Sequence, residues 1–203
     1  MQKTILKNNL IYSIIFFFLV SCSSVPKYPQ NACKIFGEKY FYLKYTRAAS
    51  KKWGVPISSI LAVINKESGF RRFAKPKRTK LFKIIPYRRP SSSLGFSQAV
   101  VKTFDLYKKE NNKPLALRIS FRNSSDFIGW YFWKTNKINK VSLNDTRNMY
   151  LNYYLGWQAY KNKAYQTDKK AIIFAKSVEK QAKIYKSQLQ ECKSVLNKSY
   201  IIF

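Results

Sequence analysis

Glu67 is the carboxylate whose position in the sequence best suits acid–base chemistry. The apolar residues before it follow the i, i+3, i+4, i+7 spacing of a core-facing helix: Ile57, Ile60, Leu61 and Ile64. Glu67 lies about 20° from Ile60 on the same helical wheel, so it continues the buried face. It also stands at the predicted helix C-terminus, where the macrodipole disfavours negative charge. Both effects favour the protonated carboxyl group, which is what the general acid in glycosidic-bond cleavage requires.

The periodicity also allows a purely structural role for Glu67. Its side chain could bend out to solvent or meet one of the many lysines of the chain, such as Lys66. The chain carries 39 Lys and Arg against nine Asp and Glu, a formal net charge of +30. Both interpretations stay open at this point.

Several other kinds of chemistry are excluded by composition. The sequence contains no histidine, which rules out Ser-His and Cys-His nucleophiles and His-ligated metals. The three cysteines form no CxxC pair, so no zinc ribbon or thioredoxin-like site is expected. We therefore expect no metal and no cofactor.

The first 22 residues have the layout of an export signal. A polar start with Lys3 and Lys7 precedes an apolar run over residues 11–20, which is too short for a permanent membrane span. Leu19-Val20-Ser21-Cys22 resembles the lipobox of bacterial lipoproteins, in which the cysteine is lipidated and becomes the new N-terminus. The alternative is a plain signal peptide with a chance cysteine near its end. Ser23 replaces the Asp that often retains lipoproteins in the inner membrane, so the resemblance predicts the outer membrane, facing the periplasm.

Export changes what the large positive charge indicates. So basic a chain suits an anionic partner, but exported proteins rarely meet cellular nucleic acid. The expected partners are therefore the cell wall and the membrane, the latter through the lipid anchor, with no nucleic acid.

Export also places Cys33 and Cys192 in an oxidising compartment. If Cys22 carries lipid, these two remain, and their even number favours a disulfide between the two ends of the domain. Such a bridge contributes roughly 5 kcal/mol in the chain-entropy model. The alternative is a pair of buried free thiols.

The remaining sequence predicts one mainly α-helical globular domain. We expect a signal peptide over residues 1–21, a lipidated tether over 22–32, the domain over 33–192 and a C-terminal tail over 193–203. Helices are predicted at 38–53, from Pro56 or Ser58 to about 67, and at 99–110, 126–138, 145–161 and 168–192. The stretch 71–89 is predicted to be irregular, and it holds nine basic residues and no acidic one.

Aromatic residues crowd two of the predicted helices. Five of them fall on one face of the 145–161 helix: Tyr150, Tyr153, Tyr154, Trp157 and Tyr160. Most of this face is interpreted as core, with Tyr153 and Tyr154 at a sugar-binding groove. The rings between Phe127 and Trp133 surround their helix, which predicts a buried element. Asp126 is interpreted as the cap of that helix.

Three segments resemble the motifs of the soluble lytic transglycosylase (SLT) family. Residues 53–70 are similar to its Glu-Ser region, with Glu67 and Ser68 in place. Gly95-Phe96-Ser97-Gln98 resembles its Gly-Leu-Met-Gln motif, and residues 152–156 resemble Ala-Tyr-Asn-Ala-Gly, with Tyr154 where the family usually has Asn. The resemblance covers about residues 33–192. More narrowly, residues 126–131 and 150–156 are similar to a proteobacterial lipoprotein branch.

The resemblance implies a lysozyme-like, mainly α domain that cleaves peptidoglycan with one carboxylate. Glu67 would protonate the oxygen between N-acetylmuramic acid and N-acetylglucosamine and then take the proton of the muramoyl C6 hydroxyl, giving a 1,6-anhydro ring. Ser68 and Tyr153 would orient Glu67 or bind the reacting sugar, and Gln98 would hold an N-acetyl or ring substituent. Tyr154 is also assigned to substrate binding.

The sequence leaves three functions to weigh. The first is an outer-membrane lipoprotein lytic transglycosylase, of which a hydrolytic lysozyme is a variant. The second is a catalytically weak, wall-binding lipoprotein that kept the fold. The third is a basic nucleic-acid-binding protein, which the export signal argues against.

Overall fold

The computed structural model describes residues 25–81, 85–193 and 196. The predicted export signal, the lipidated Cys22 and most of the C-terminal tail lie outside these residues. The helices are α1 (Ala32–Glu38), α2 (Tyr40–Trp53), α3 (Ile57–Ser68), α4 (Val101–Glu110), α5 (Phe121–Asn139), α6 (Thr146–Leu155), α7 (Trp157–Lys161) and α8 (Lys169–Glu191). A short 3₁₀ turn, Ala164–Gln166, precedes α8. The mainly helical prediction is confirmed.

Helix α3 forms as its sequence predicts. It follows Pro56 and ends at Gly69, which adopts a left-handed φ of 57° and donates its N–H to the Asn65 carbonyl. The predicted stripe is buried, since Ile60, Leu61 and Ile64 are fully inaccessible to solvent. Helix α3 packs against both α8 and α5, so two long helices hold it in place.

Helix α5 begins earlier than predicted. Ser120 caps it, with its hydroxyl accepting from the Asn123 N–H at 3.4 Å, so the helix starts five residues before Asp126. The prediction that Asp126 caps this helix is therefore wrong, and its carboxylate lies buried in the helix interior. The prediction of a buried aromatic helix holds for Phe127, Trp130, Tyr131 and Phe132, while Trp133 stays partly exposed.

The predicted helix over 145–161 is two helices. Gly156 has a φ of 89°, a conformation outside the helical region, and it separates α6 from α7. Trp157 and Tyr160 consequently belong to a separate helix, although Trp157 still stacks on Tyr131, the ring that Tyr153 also contacts. Lys39 separates α1 from α2, so the helix predicted over 38–53 begins at Tyr40, and α1 was not predicted.

A small antiparallel hairpin occupies the stretch predicted to be irregular. Its strands are β1 (Lys80–Leu81) and β2 (Ile85–Pro86), with Lys80 opposite Pro86. A β-strand is identified in a sequence by alternating apolar and polar residues. Strands of two residues are too short to show this alternation, so the sequence did not indicate them.

The two ends of the domain meet at α8. Cys33 and Cys192 form the predicted disulfide, with Cα atoms 6.1 Å apart, and Gln188 Oε1 accepts from the Ala32 N–H at 2.9 Å. Among the described residues, no helix is both long and apolar enough to cross a membrane.

Candidate active site

Glu67 lies in the last turn of α3 and faces α6. Its Oε1 accepts a hydrogen bond from the Tyr150 hydroxyl at 2.7 Å. The residue as a whole keeps some contact with solvent, which leaves a route for a ligand. The predicted inward direction of this side chain is thus confirmed.

Burial raises the pKa of the Glu67 carboxyl group from its ordinary value to about 7. The hydrogen bond from Tyr150 and the charge of Lys66 both act in the opposite direction, but desolvation is the larger effect. Among the described residues, no second carboxylate contributes to this shift. Near pH 7 the group is present in both protonation states, so it can give a proton and take one back.

Lys66 does not neutralise Glu67 by direct pairing. Its ammonium lies 3.7 Å from the ring centroid of Phe174 in a cation–π contact, and burial lowers its pKa. The structure records no ion pair between the two side chains. The interpretation of Glu67 as a simple salt-bridge residue is therefore not supported.

Tyr150 contacts the candidate acid, and the sequence interpretation did not predict this contact. It was placed among core rings, and its ring is indeed buried, but its hydroxyl reaches Glu67. The predicted orienting residue, Tyr153, instead donates to the Ser97 carbonyl at 2.5 Å. The two tyrosines lie one helical turn apart on the same face. This spacing indicates that both rings face the same way, but it does not decide which hydroxyl reaches Glu67.

The predicted Gly-x-x-Gln motif forms a tight loop beside this helix. Gly95 has a φ of 78°, and an added Cβ would lie 2.1 Å from the Arg118 carbonyl oxygen, so glycine is required there. Gln98 also has a positive φ, 48°, and its amide nitrogen donates to the Ala74 and Gly95 carbonyls, both at 2.8 Å. Its amide oxygen is thereby left as the group that can accept from a ligand.

A cleft of about 240 Å³ brings together three of the predicted substrate-binding residues, Gln98, Tyr153 and Tyr154. Tyr154 is 38% exposed, and its ring packs edge-on against Phe174 at 5.7 Å. Glu67 does not line this cleft. However, burial and the Glu67 charge both raise the pKa of Tyr153, so the acid lies within electrostatic reach of the cleft wall.

Ser68 is placed apart from that cleft. Its side chain is 1% exposed, and its hydroxyl donates to the Ile64 carbonyl at 2.9 Å. It stabilises the last turn of α3 rather than contacting the Glu67 carboxyl group. Its assignment to substrate binding stays a prediction.

A larger cavity of about 520 Å³ opens at the opposite end of α3. Ile57, Ser58 and Ser59 line it together with residues of α8, and Glu67 is not among its walls. Glu67 thus lines neither of the two spaces, and its link to the smaller cleft is its electrostatic effect on Tyr153.

Asp126 is the other buried carboxylate, and its surroundings differ. It accepts hydrogen bonds from the Tyr107 hydroxyl at 2.5 Å, from the Trp53 indole at 2.9 Å and from the Lys113 ammonium. Burial alone would raise the pKa of Asp126, but these donors hold it below its ordinary value. Both carboxylate oxygens of Asp126 thus accept hydrogen bonds, and this ionised side chain joins α2, α4 and α5.

A comparison with known proteins assigns the chain to a family. A family model of the transglycosylase SLT domain matches residues 10–192, and the chain belongs to this family. Its mainly helical domain accords with the lysozyme-like fold of that family, whose members generally are lytic transglycosylases acting on peptidoglycan. A search of curated proteins finds no significant match.

Proposed function

We propose that the protein is a peptidoglycan lytic transglycosylase in which Glu67 is the single general acid and base. The observation that carries the proposal is the Glu67 carboxyl group, buried enough to have a pKa of about 7 and held by the Tyr150 hydroxyl. The family match supports the substrate class. The cleft of Gln98, Tyr153 and Tyr154 offers a binding surface, and its Tyr153 lies within electrostatic reach of Glu67.

The chemistry needs one carboxyl group and no water. Protonated Glu67 gives its proton to the oxygen that links C1 of N-acetylmuramic acid to N-acetylglucosamine, and the C1–O bond breaks. The resulting carboxylate takes the proton of the muramoyl C6 hydroxyl, whose oxygen bonds to C1 and closes a 1,6-anhydro ring. Glu67 is then protonated again. This differs from the paired carboxylates of most glycosidases.

The other proposed roles concern substrate binding. The amide oxygen of Gln98 accepts from an N-acetyl N–H, and the exposed ring of Tyr154 stacks on a pyranose face. Tyr153 lines the same cleft. Ser68 supports the helix turn that carries Glu67, and any direct contact of Ser68 with the sugar would require its hydroxyl to leave Ile64.

We also propose that the protein works in the periplasm as an outer-membrane lipoprotein anchored through Cys22. The export layout and the lipobox resemblance support this location. This location keeps the enzyme next to the cell wall and prevents it from diffusing away. Multiple acyl chains hold a protein on a membrane far more firmly than one chain does.

The test is digestion of purified peptidoglycan followed by mass spectrometry of the products. We expect 1,6-anhydromuramoyl ends from the wild type and none from Glu67→Gln, which keeps the shape of the side chain but cannot transfer the proton. Circular dichroism of the variant checks that it folds. Reducing muramoyl ends would instead identify a hydrolase.

A catalytically weak wall-binding protein is the second candidate, because Tyr154 replaces the Asn usual in the family motif. In that case the wild type would bind peptidoglycan without releasing products. Tyr154→Asn would then be the first variant expected to restore cleavage.

A further inference from the structure

A cationic hairpin projects next to the candidate active site. We define the basic hairpin as residues 71–81 and 85–89. The sequence from 71 to 89 holds nine Lys and Arg and no Asp or Glu, and the described basic side chains are exposed. The segment has a defined conformation, because the Thr79 N–H donates to the Arg88 carbonyl at 2.8 Å and the Tyr87 N–H donates back to Thr79 at 2.7 Å.

The base of the basic hairpin is attached to both sides of the site. At its start, Arg71 Nε donates to the carbonyl of Ser68, the residue after the acid, at 2.8 Å. Three residues later, the Ala74 carbonyl accepts from the Gly95 N–H at 2.9 Å and from the Gln98 amide at 2.8 Å. The hairpin therefore emerges between the Glu67 helix turn and the Gln98 loop.

The positive charges of the basic hairpin are not neutralised within the described part of the chain. None of its lysines or arginines forms an ion pair with a described carboxylate; the recorded ion pairs all involve lysines elsewhere. Two exposed rings accompany these charges. Phe73 is 65% exposed beside Arg72, and Tyr87 is 52% exposed beside Arg88. Like charges concentrated in this way repel each other and favour an external anion.

We propose that the basic hairpin binds the carboxylates of peptidoglycan stem peptides and makes the protein prefer peptide-bearing glycan. The proposal rests on the proposed function, because the stem peptide is attached to the muramoyl residue whose C1–O bond is cleaved. Because Glu67 must contact that sugar, we expect its peptide to emerge near the acid, and the hairpin begins there, at Arg71 on the Ser68 carbonyl. Anionic membrane lipid has the same charge, but nothing ties it to the position of Glu67.

The test measures binding rather than cleavage, so it does not depend on turnover. The full chain, purified in detergent and carrying Glu67→Gln, is titrated against intact peptidoglycan and against glycan strands stripped of peptides by an amidase. The triple variant K75Q/K77Q/R78Q removes three hairpin charges that lie outside the catalytic and cleft residues. The matched control, K176Q/K180Q/K186Q, removes three exposed charges from α8.

We expect K75Q/K77Q/R78Q to weaken binding to peptide-bearing peptidoglycan about tenfold at low salt, as three exposed ion pairs would. Binding to stripped strands, which keep only the lactyl carboxylate that the amidase leaves on each muramoyl residue, should weaken much less, and the control should behave like the parent protein. The salt dependence of binding should also decrease in the hairpin variant.

Three results would overturn the proposal. Equal weakening by the α8 control would show a diffuse charge effect, and equal weakening on stripped strands would show that the hairpin does not bind peptides. If K75Q/K77Q/R78Q lost binding to phosphatidylglycerol vesicles but kept its binding to peptidoglycan, the hairpin would be assigned to the membrane. Absence of anhydromuramoyl products from the wild type would contradict the proposed function alone.

Discussion

Among the described residues, Glu67 and Asp126 are carboxylates whose pKa values shift in opposite directions, because burial dominates at Glu67 and hydrogen-bond donors dominate at Asp126. Asp126 receives three donors, one of them the Lys113 ammonium, and its pKa is lowered. Glu67 receives one neutral hydroxyl, and burial raises its pKa to about 7. The difference separates a structural anion from a group that can exchange a proton near neutral pH.

Replacing Tyr150 with Phe tests which tyrosine controls the acid. The hydrogen bond from Tyr150 lowers the pKa of Glu67, so Tyr150→Phe should raise it and shift the alkaline limb of the pH–rate profile to higher pH. Loss of orientation should also reduce kcat about tenfold.

Tyr153→Phe is the matched control, since its hydroxyl donates to Ser97 and not to Glu67. It should leave the position of the alkaline limb unchanged. The opposite pattern, a shift with Tyr153→Phe alone, would restore the assignment made from the sequence motif.

The raised pKa of Glu67 also makes stability depend on pH. Between the ordinary value of 4.5 and about 7, the folded state keeps a proton that the unfolded state has released. The stability contributed by this carboxyl group is therefore full below pH 4.5 and is lost as the pH rises through 7. Urea unfolding should show Glu67→Gln to be more stable than wild type by roughly 3 kcal/mol at pH 8, with a much smaller difference at pH 4. A pH-independent difference would contradict the shift.

At the scale of elements, the contact between α2 and α5 depends on a glycine. A Cβ on Gly129 would lie 2.5 Å from Trp53 Cδ1, and Trp53 also donates to Asp126. Alanine in a helix gains about 1 kcal/mol over glycine, whereas overpacking costs about 1–3 kcal/mol. We expect the clash to dominate, because the indole must move away from its hydrogen bond, and Gly129→Ala to lower the free energy of unfolding by up to about 2 kcal/mol.

Gly37 provides the control for that substitution. It lies in α1 with no atom within 4 Å of an added Cβ, so Gly37→Ala should be neutral or stabilising by up to about 1 kcal/mol. Chemical denaturation of both variants distinguishes packing from propensity. Equal effects at the two positions would show that the Trp53 contact is unimportant.

At the scale of the whole molecule, the Cys33–Cys192 disulfide closes nearly the entire domain. The two cysteines are 159 positions apart, and removing a bridge of this span costs roughly 2–5 kcal/mol. Cys33→Ser/Cys192→Ser should therefore melt roughly 10 °C lower than the oxidised wild type. Wild type in reductant should match the double variant, and an unchanged Tm in both cases would contradict a stabilising bridge.

Local sequence patterns determined much of the fold and part of the site. The periodic stripe of α3, ended by Gly69, aligned Glu67 with the buried face, because the position of a residue along a helix fixes the side from which its side chain leaves. It left open whether the carboxyl group itself turns inward or out to solvent. The Asp168 cap and the start of α8 were likewise readable, since capping is a contact between residues three apart.

Only the tertiary structure decided which groups meet Glu67. Tyr150 and Tyr153 share a helix face, and the choice between them depends on how α6 packs against α3, a relation between residues 83 positions apart. Strands β1 and β2 escaped prediction because two residues are too few to show a period of two. The break at Gly156 and the interior position of Asp126 escaped prediction for the same reason as the Tyr150 contact. Each depends on contacts or backbone angles that residue type permits but does not impose, because long-range packing selects among locally allowed conformations.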